Sequence, residues 1–144
     1  MRKLSSIYSE MNIGDTLPVL EKWPTTVQLF RYSSVTWNTH RIHYDLDYAK
    51  EEGYSGVLVQ SHLHGAFLTQ LCTDWMGTEG KLQQFTITVK QSVTVGDRLT
   101  CHGIINRKWV ENEEIHFGIE LNEVNQNKEI CATGNAIIVF SENG

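Results

Sequence analysis

Apolar residues recur with a helical period in the middle of the chain. Four of them stand four positions apart, at Leu63, Phe67, Leu71 and Trp75, with Ala66 beside them. This spacing places the apolar side chains on one face of an amphipathic helix. Ser61 is a suitable N-cap and Gly77 a suitable stop, so we predict a helix over 62–76.

Two shorter helices are predicted before this one. Thr26 can cap a helix over 27–35, because its hydroxyl can accept a hydrogen bond from an unpaired N–H of the first turn. A second short helix is predicted over 46–52, and Gly53 follows it at the position where helices often end. Residues 13–18 look like a turn that leads into a short strand.

Beyond about residue 80 the apolar period changes from four to two. Phe85, Ile87 and Val89 alternate with polar residues, which is typical of a half-buried strand. Further strands are predicted over 99–108, 116–121 and 130–140, with turns near Gly96 and over 125–128. Strands joined by short loops form antiparallel sheets. Helices first and strands after predict an α+β class, with about five strands wrapped around one long helix.

Composition narrows the class of protein. The chain has 144 residues, 40% of them apolar and 20% charged, which fits a single globular domain over 1–144. Its net charge of −5 argues against duplex nucleic acid or an anionic membrane as the main partner. The longest apolar run, Ala136–Phe140, is far shorter than the ~20 residues of a membrane span. We see no signal peptide and expect a cytoplasmic protein.

The cysteines carry little chemical signal. Cys72, Cys101 and Cys131 are odd in number and show no CxxC spacing. We predict that they are buried free thiols rather than redox or metal-binding groups.

Candidate chemistry is concentrated in residues 32–49. This stretch holds two of the six histidines, His40 and His43, together with two aspartates and an arginine. A histidine pair without a third ligand is weak evidence for a metal, and we predict none. A histidine general base fits better because its pKa lies near working pH. The spacing alone fits equally a histidine that is packed and hydrogen-bonded for structure.

Four segments resemble the MaoC-like hot-dog hydratases. They are Ile42-His43-Tyr44-Asp45 with Tyr48-Ala49, the turn and helix start over 53–63, Val95-Gly96-Asp97-Arg98-Leu99, and Ala132-Thr133-Gly134-Asn135-Ala136. The resemblance spans roughly residues 13–140. Within the family it is strongest to the branch that contains 3-hydroxyacyl-thioester dehydratases and mesaconyl- or itaconyl-CoA hydratases.

The resemblance implies a hot-dog fold, in which a curled antiparallel sheet surrounds a central helix. It also implies a hydratase or dehydratase that interconverts a 2-enoyl thioester and a 3-hydroxyacyl thioester, without a cofactor. The substrate would be an acyl-CoA or an acyl-carrier-protein thioester. Family members usually dimerise edge to edge, which also covers an exposed strand. A homodimer or a hetero-oligomer with another hot-dog subunit is therefore expected.

Catalytic roles follow from the motif. His43 falls on the family's catalytic histidine, whereas Asn38 stands where the family has its catalytic aspartate and His40 where it has asparagine. A different register would instead align Asn38-Thr39 with the family's Asn-Pro. An asparagine orients water but does not take its proton near neutral pH. Asp45 can supply the missing carboxylate, or it can serve as the N-cap of the following helix.

Substrate-binding roles are implied at the start of the central helix. The family's His-Gly becomes Gln60-Ser61, and the backbone N–H of Ser61 would polarise the thioester carbonyl. Gly56 in the preceding turn and Trp37 beside Asn38 are further candidates for substrate contact.

Two other functions remain open on the sequence. A chain that lacks the aspartate can be a non-catalytic subunit that completes an acyl tunnel for a partner. Hot-dog folds also support acyl-CoA thioesterases, which usually need a carboxylate on the central helix. Here Asp74 lies at the far end of that helix, which makes this alternative the weakest of the three.

Overall fold

One antiparallel sheet of five strands curls around the longest helix in residues 6–141, the part of the chain that the computed structural model describes. The strands are β1 (Leu20–Lys22), β2 (Gly80–Val89), β3 (Leu99–Glu111), β4 (Glu114–Val124) and β5 (Ile130–Ser141). Their order across the sheet is β1-β3-β4-β5-β2, and every neighbouring pair is antiparallel. The predicted α+β hot-dog architecture is thereby confirmed.

The helices are α1 (Ser6–Glu10), α2 (Thr26–Thr36), α3 (Leu46–Glu51) and α4 (Ser61–Met76), and a 3-10 turn spans Arg41–His43. Helix α4 contacts β2, β3, β4 and β5, which makes it the central helix of the fold. Its predicted apolar stripe is confirmed, because Leu63, Phe67 and Leu71 are buried against the sheet. Trp75 is half-buried, and its ring meets those of Phe117 and Phe140 edge-on at 5.6 Å.

Two predicted N-caps were each wrong by one residue. The cap of α2 is Thr25 rather than Thr26, since Thr25 has extended dihedrals and its Oγ1 accepts from the N–H of Gln28 at 3.1 Å. The cap of α4 is Gln60 rather than Ser61, and no side-chain hydrogen bond caps this helix. Gly77 ends α4 as predicted, and its N–H donates a hydrogen bond to the carbonyl of Thr73 at 3.1 Å.

The strands are longer than their alternation indicated. Strand β2 begins at Gly80, before the alternation that starts at Phe85. The alternation did not reveal this start, because an irregularity between Leu82 and Gln84 breaks the two-residue period. Near Gly96, where a turn was predicted, φ is +104° and the chain turns into β3.

All three cysteines are buried and free, as predicted. Burial raises the pKa of Cys72 to about 12 and that of Cys131 to about 11, so neither is a reactive thiolate.

A buried hydrogen-bonded pair lies between the central helix and the sheet. His64 in the first turn of α4 and Glu123 on β4 are almost fully buried, and Nδ1 lies 2.5 Å from Oε2. The second carboxylate oxygen of Glu123 has no hydrogen-bond partner among the described residues. This pair ties the start of α4 to the sheet.

Between residues 6 and 141 no helix is long and apolar enough to cross a membrane. The N-terminal segment on which the absence of a signal peptide was predicted lies largely outside the described residues.

Candidate active site

The turn between α2 and α3 orients two histidines. His40 precedes the turn with extended dihedrals, and its Nδ1 accepts a hydrogen bond from the N–H of Ile42 at 3.3 Å. An atom that accepts from an N–H carries no proton, so neutral His40 holds its proton on Nε2. The ring itself is exposed. His40 therefore caps the turn and presents an N–H donor to solvent.

His43 is the last residue of the same turn, but unlike His40 it is buried and carries its proton on Nδ1. It is buried, with 8% of its surface exposed, and its Nδ1 lies 2.8 Å from the carbonyl oxygen of Leu58. A carbonyl only accepts, so Nδ1 carries the proton and Nε2 offers a lone pair. Burial lowers the pKa of His43, and nearby His40 lowers it further, against the opposing effect of the Leu58 hydrogen bond. The ring is thus a neutral base at neutral pH.

A second hydrogen bond fixes this arrangement. The N–H of Leu58 donates to the carbonyl of Ile42 at 2.9 Å, so both backbone groups of Leu58 tie the strand-like segment before α4 to the turn. The same segment is bridged to Thr94 through Leu58. The orientation of His43 is consequently set by backbone groups rather than by a carboxylate.

Asn38 and Trp37 lie at the end of α2. Trp37 adopts a left-handed conformation with φ +56° as the C-cap, and its side chain is 81% exposed. Asn38 is partly buried, and its Oδ1 lies 3.4 Å from the N–H of His40. Both residues line a small pocket of about 180 Å³ together with Tyr44. The rings of His40 and His43 are 6.0 Å apart between centroids.

Gln60 points away from the exposed start of α4. It is fully buried, and its Nε2 donates to the carbonyl of Leu29 at 2.8 Å and to Oγ of Ser33 at 2.9 Å. Its side chain therefore anchors α2 to the start of α4, and its Oε1 is buried without a hydrogen-bond partner in the described part of the chain.

Ser61 is the exposed first residue of α4. The N–H groups of the first helical turn point out of the helix, where the positive end of the helix dipole favours negative charge. The carbonyl of Gln60 already accepts from the N–H groups of Leu63 and His64. The N–H of Ser61 takes no part in those two hydrogen bonds and can donate to a ligand oxygen.

Two other predicted site residues, Gly56 and Asp45, lie in a turn and at the start of a helix. Gly56 is partly buried in the turn before Leu58, and a Cβ there would lie 3.5 Å from Thr94, an ordinary contact. Asp45 is the N-cap of α3, as one of its two predicted roles required. Its Oδ1 accepts from the N–H of Tyr48 at 3.1 Å and its Oδ2 pairs with Arg41 at 2.6 Å. These two partners hold the pKa of its carboxyl below the ordinary value.

The sequence did not single out Leu58, although its carbonyl selects the tautomer of His43. No side-chain pattern marks a backbone acceptor, so only the structure identifies it. The buried His64–Glu123 pair was missed as well. Among the described residues, no group of three or more histidine, cysteine or acidic side chains is arranged to hold a metal ion.

The curled sheet, the central helix and the loop histidine define a MaoC-like hot-dog protein of the hydratase type. The chain belongs to the hydroxyacyl-thioester dehydratase type 2 family, which it matches over residues 15–95, more than half of its length.

Similar proteins agree with this assignment. A stretch of 44 residues is 52% identical to the mesaconyl-C(4)-CoA hydratase of Chloroflexus aurantiacus, but covers 30% of this chain and only 16% of that hydratase. The unliganded R-hydratase PhaJ1 from Pseudomonas aeruginosa superimposes with a TM-score of 0.84 at 20% identity, covering 94% of this chain and 86% of that one. The ChsH1-ChsH2 complex from Mycobacterium tuberculosis gives a TM-score of 0.79 at 16% identity, covering 90% and 98% respectively. At these identities the two structures show the shared fold alone.

Proposed function

We propose that this protein hydrates a 2-enoyl thioester, most simply an acyl-CoA, to the 3-hydroxyacyl thioester, or catalyses the reverse dehydration. The observation that carries the proposal is the hydrogen bond from Nδ1 of His43 to Leu58, which leaves Nε2 as a buried, neutral base. Family membership and the CoA-thioester hydratase relative support the reaction class.

In the hydration direction His43 acts twice. Its Nε2 takes a proton from water while the water oxygen bonds to C3 and the C2–C3 π electrons move onto the thioester as an enolate. The N–H of Ser61, at the positive end of α4, stabilises the enolate oxygen. The enolate then takes the proton back from Nε2 at C2. Hydroxyl and hydrogen are both added, and His43 returns to its neutral state.

The remaining candidates have supporting roles in this proposal. The Oδ1 atom of Asn38 accepts a hydrogen bond from the O–H that the attacking water keeps, and Nε2–H of His40 donates a hydrogen bond to the water oxygen. Trp37 offers an aromatic wall to the substrate, while Gly56 and Gln60 shape the backbone around the thioester. No role is assigned to Asp45 beyond its cap, and no cofactor or metal is required.

The direct test is hydration of crotonyl-CoA by the His43→Ala variant. General acid–base assistance contributes about 10²–10⁴-fold, so kcat should fall by about that factor. His43→Asn, which cannot act as a base near neutral pH, should fall equally. His102→Ala, on β3, is the matched control. Unchanged turnover in either His43 variant would sink the assignment.

A second candidate is a non-catalytic subunit, and Asn38 in place of an acidic residue is the observation that favours it. The ChsH1-ChsH2 neighbour is itself a complex of two different chains. Purified wild-type protein that fails to hydrate any enoyl-CoA alone, but does so with a second hot-dog chain, would establish this alternative. A thioesterase is less well supported, because Asp74 is exposed in the last turn of α4.

For the working unit we propose a dimer joined along β2. This strand is an edge of the sheet, and beside it a groove of about 540 Å³ runs between α4 and β2, lined in part by Ala66, Thr69, Phe85 and Ile87. An edge strand beside an apolar groove is suited to a second hot-dog chain. Ala66→Arg should convert the dimer to a monomer in sedimentation equilibrium, whereas a monomeric wild type would contradict the proposal.

We further propose that residues 1–144 fold as one domain in the cytoplasm. The three free cysteines fit a reducing compartment. Limited proteolysis that yields no stable fragment, and recovery of the protein in the cytoplasmic fraction, are the expected results.

A further inference from the structure

Two turns of the chain share one hydrogen-bond pattern although they lie far apart in sequence. They end in Gly14-Asp15 and Gly96-Asp97, and the two glycines have φ values of +96° and +104°. In each turn the N–H of the aspartate donates to the carbonyl of the residue three positions earlier. In return, Oδ2 of the aspartate accepts from the N–H of that earlier residue, at 2.8 Å in the first turn and 3.0 Å in the second. The two turns differ in what they hold.

The first turn is tied to β3. The N–H of Gly14 donates to the carbonyl of Ile105 at 2.8 Å, and the N–H of Ile105 donates to the carbonyl of Asp15 at 2.9 Å. Thr16, the next residue, is bridged to Ile104. This turn therefore positions the chain beside a strand of the sheet.

The second turn is tied to the segment that carries Leu58. Residues 57–59 and 93–95 form a short antiparallel pairing with two backbone hydrogen bonds of 2.9 and 3.3 Å, and Leu58 lies opposite Thr94. In such a pairing the backbone groups of successive residues point to alternate sides. The carbonyl of Leu58 consequently points away from residues 93–95 and meets Nδ1 of His43 at 2.8 Å. The tautomer of His43 thus depends on where residues 93–95 hold Leu58.

Asp97 joins this second turn to another part of the sheet. Its Oδ2 accepts from the N–H of Thr94, and its Oδ1 accepts from Nε2 of Gln126 at 2.8 Å. Gln126 lies between β4 and β5, and its Oε1 accepts from the N–H of Arg98 at 3.1 Å. The carboxylate therefore bridges the residue opposite Leu58 to the end of the β4–β5 hairpin.

The turn that carries Gln126 is itself held in place. Asn125 is buried, and its Oδ1 accepts from the N–H groups of Asn127 and Glu129, both at 3.0 Å. The two strands that the turn connects are paired along their lengths. A group supported by strands is placed more precisely than one supported by a loop alone. Through Gln126 the loop histidine gains such support.

We propose that Asp97 and Gln126 are positioning residues for the base His43. Together they hold the second turn against the sheet, the turn holds Leu58, and the carbonyl of Leu58 keeps the proton of the ring on Nδ1. The inference rests on the proposed function for the role of His43 as a base. The hydrogen bonds that lead from Asp97 to the ring do not depend on catalysis.

The test measures the ring state of His43 by ¹⁵N NMR at neutral pH, with its signals assigned by their loss in His43→Asn. The wild type should carry the proton on Nδ1 alone. Asp97→Ala removes both side-chain hydrogen bonds, so the form with its proton on Nε2 should appear. In that variant kcat on crotonyl-CoA should fall by about tenfold to 10²-fold at unchanged KM, as expected for a misplaced catalytic group.

Two further variants separate the contacts of Asp97. Asp97→Asn keeps an acceptor for the N–H of Thr94 and should recover most of kcat and the ring state of the wild type. Gln126→Ala removes only the link to the hairpin and should change the ring state and kcat in the same direction as Asp97→Ala, but less. Since Gln126 is exposed, this variant tests the link even where Asp97→Ala does not fold.

Asp15→Ala is the matched control, because it removes the equivalent hydrogen bond from the first turn. It should leave the ring state of His43 and kcat unchanged, and urea denaturation shows which variants are folded. A ring that keeps its proton on Nδ1 alone in every folded variant would overturn the proposal, whatever happens to kcat. An equal change of ring state in Asp15→Ala would overturn it too. A changed ring state at unchanged kcat would confirm the link from Asp97 to His43 and contradict the proposed function, so the two can fail separately.

Discussion

His40 and His43 carry their protons on opposite ring nitrogens, although only two residues separate them. Nδ1 of His40 accepts from the N–H of Ile42, whereas Nδ1 of His43 donates to the carbonyl of Leu58. The backbone thus selects both tautomers. His43 presents a bare Nε2 and His40 presents Nε2–H. One water molecule can therefore meet an acceptor and a donor without a carboxylate in the loop.

The two roles of His40 can be separated by substitution. His40→Ala removes the acceptor that caps the turn, which should cost about 0.5–2 kcal/mol of unfolding free energy, as for other N-caps. His40→Asn keeps an acceptor and should recover most of that stability in urea denaturation. Both variants lack the Nε2–H donor, so kcat on crotonyl-CoA should fall about twofold to twelvefold in each, the effect of one hydrogen bond of about 0.5–1.5 kcal/mol. Full activity in His40→Asn would reduce His40 to a cap.

Because His43 is buried, we expect kcat/KM to decline with falling pH only in the acid range. Its pKa lies below the ordinary value of 6.5, mainly because of burial, and only the neutral ring is a base. The profile of kcat/KM on crotonyl-CoA should therefore stay flat as pH falls through 6.5 and decline only below it. The stability that neutral His43 contributes is complete above its unfolded pKa and is lost as pH falls through the folded one.

The same kcat/KM profile measured on His40→Asn shows whether His43 causes the decline at low pH, because this variant removes the other histidine of the turn. An NMR titration of the His43 ring gives an independent pKa. A midpoint at or above 6.5 in either measurement would contradict the burial argument.

Most of the fold follows from the sequence because its elements have regular periods. The stripe at Leu63, Phe67 and Leu71 marks α4 since one face of that helix packs on the sheet. The sequence predicts less well where two neighbouring residues suit the same role. Thr25 and Thr26 are both suitable caps, and only the backbone dihedrals distinguish them. The start of β2 was missed because its irregularity near Leu82 breaks the alternation.

The site was less predictable because its contacts are distant in sequence. The motif identified His43, but its tautomer depends on a carbonyl 15 residues away. The direction of Gln60 depends on a carbonyl 31 residues away, on another helix. Contacts of this kind leave no local pattern, whereas the cap formed by Asp45 is three residues from its partner and was among the predicted alternatives.

Asp45 is expected to be dispensable for chemistry. Its two oxygens are engaged by the N–H of Tyr48 and by Arg41, as a cap and an ion-pair partner require. Asp45→Asn keeps a capping side chain and should retain crotonyl-CoA hydration, and it should be more stable than Asp45→Ala in thermal melts. A catalytic carboxylate would instead lose about 10²–10⁴-fold in kcat in both variants. A loss of that size in Asp45→Asn would restore Asp45 to the mechanism.

The buried pair of His64 and Glu123 is expected to be strongly coupled in stability. Their side chains are 1% and 0% exposed, so removing one partner leaves the other buried and unpaired. Each single variant, His64→Leu or Glu123→Leu, should lower the free energy of unfolding by about 3–5 kcal/mol. The double variant should be more stable than either, because two apolar side chains replace two desolvated polar ones.

Urea denaturation of the four proteins completes the double-mutant cycle. Glu120→Leu is the matched control, because Glu120 lies on the same strand as Glu123 but is exposed, and it should change the unfolding free energy little. Additive effects of the two single variants would show that the residues are not coupled. Coupling as expected would mean that the first turn of α4, which carries both His64 and the N–H of Ser61, is held to β4 by this pair. The direction of the proposed thioester donor is then fixed from inside the core.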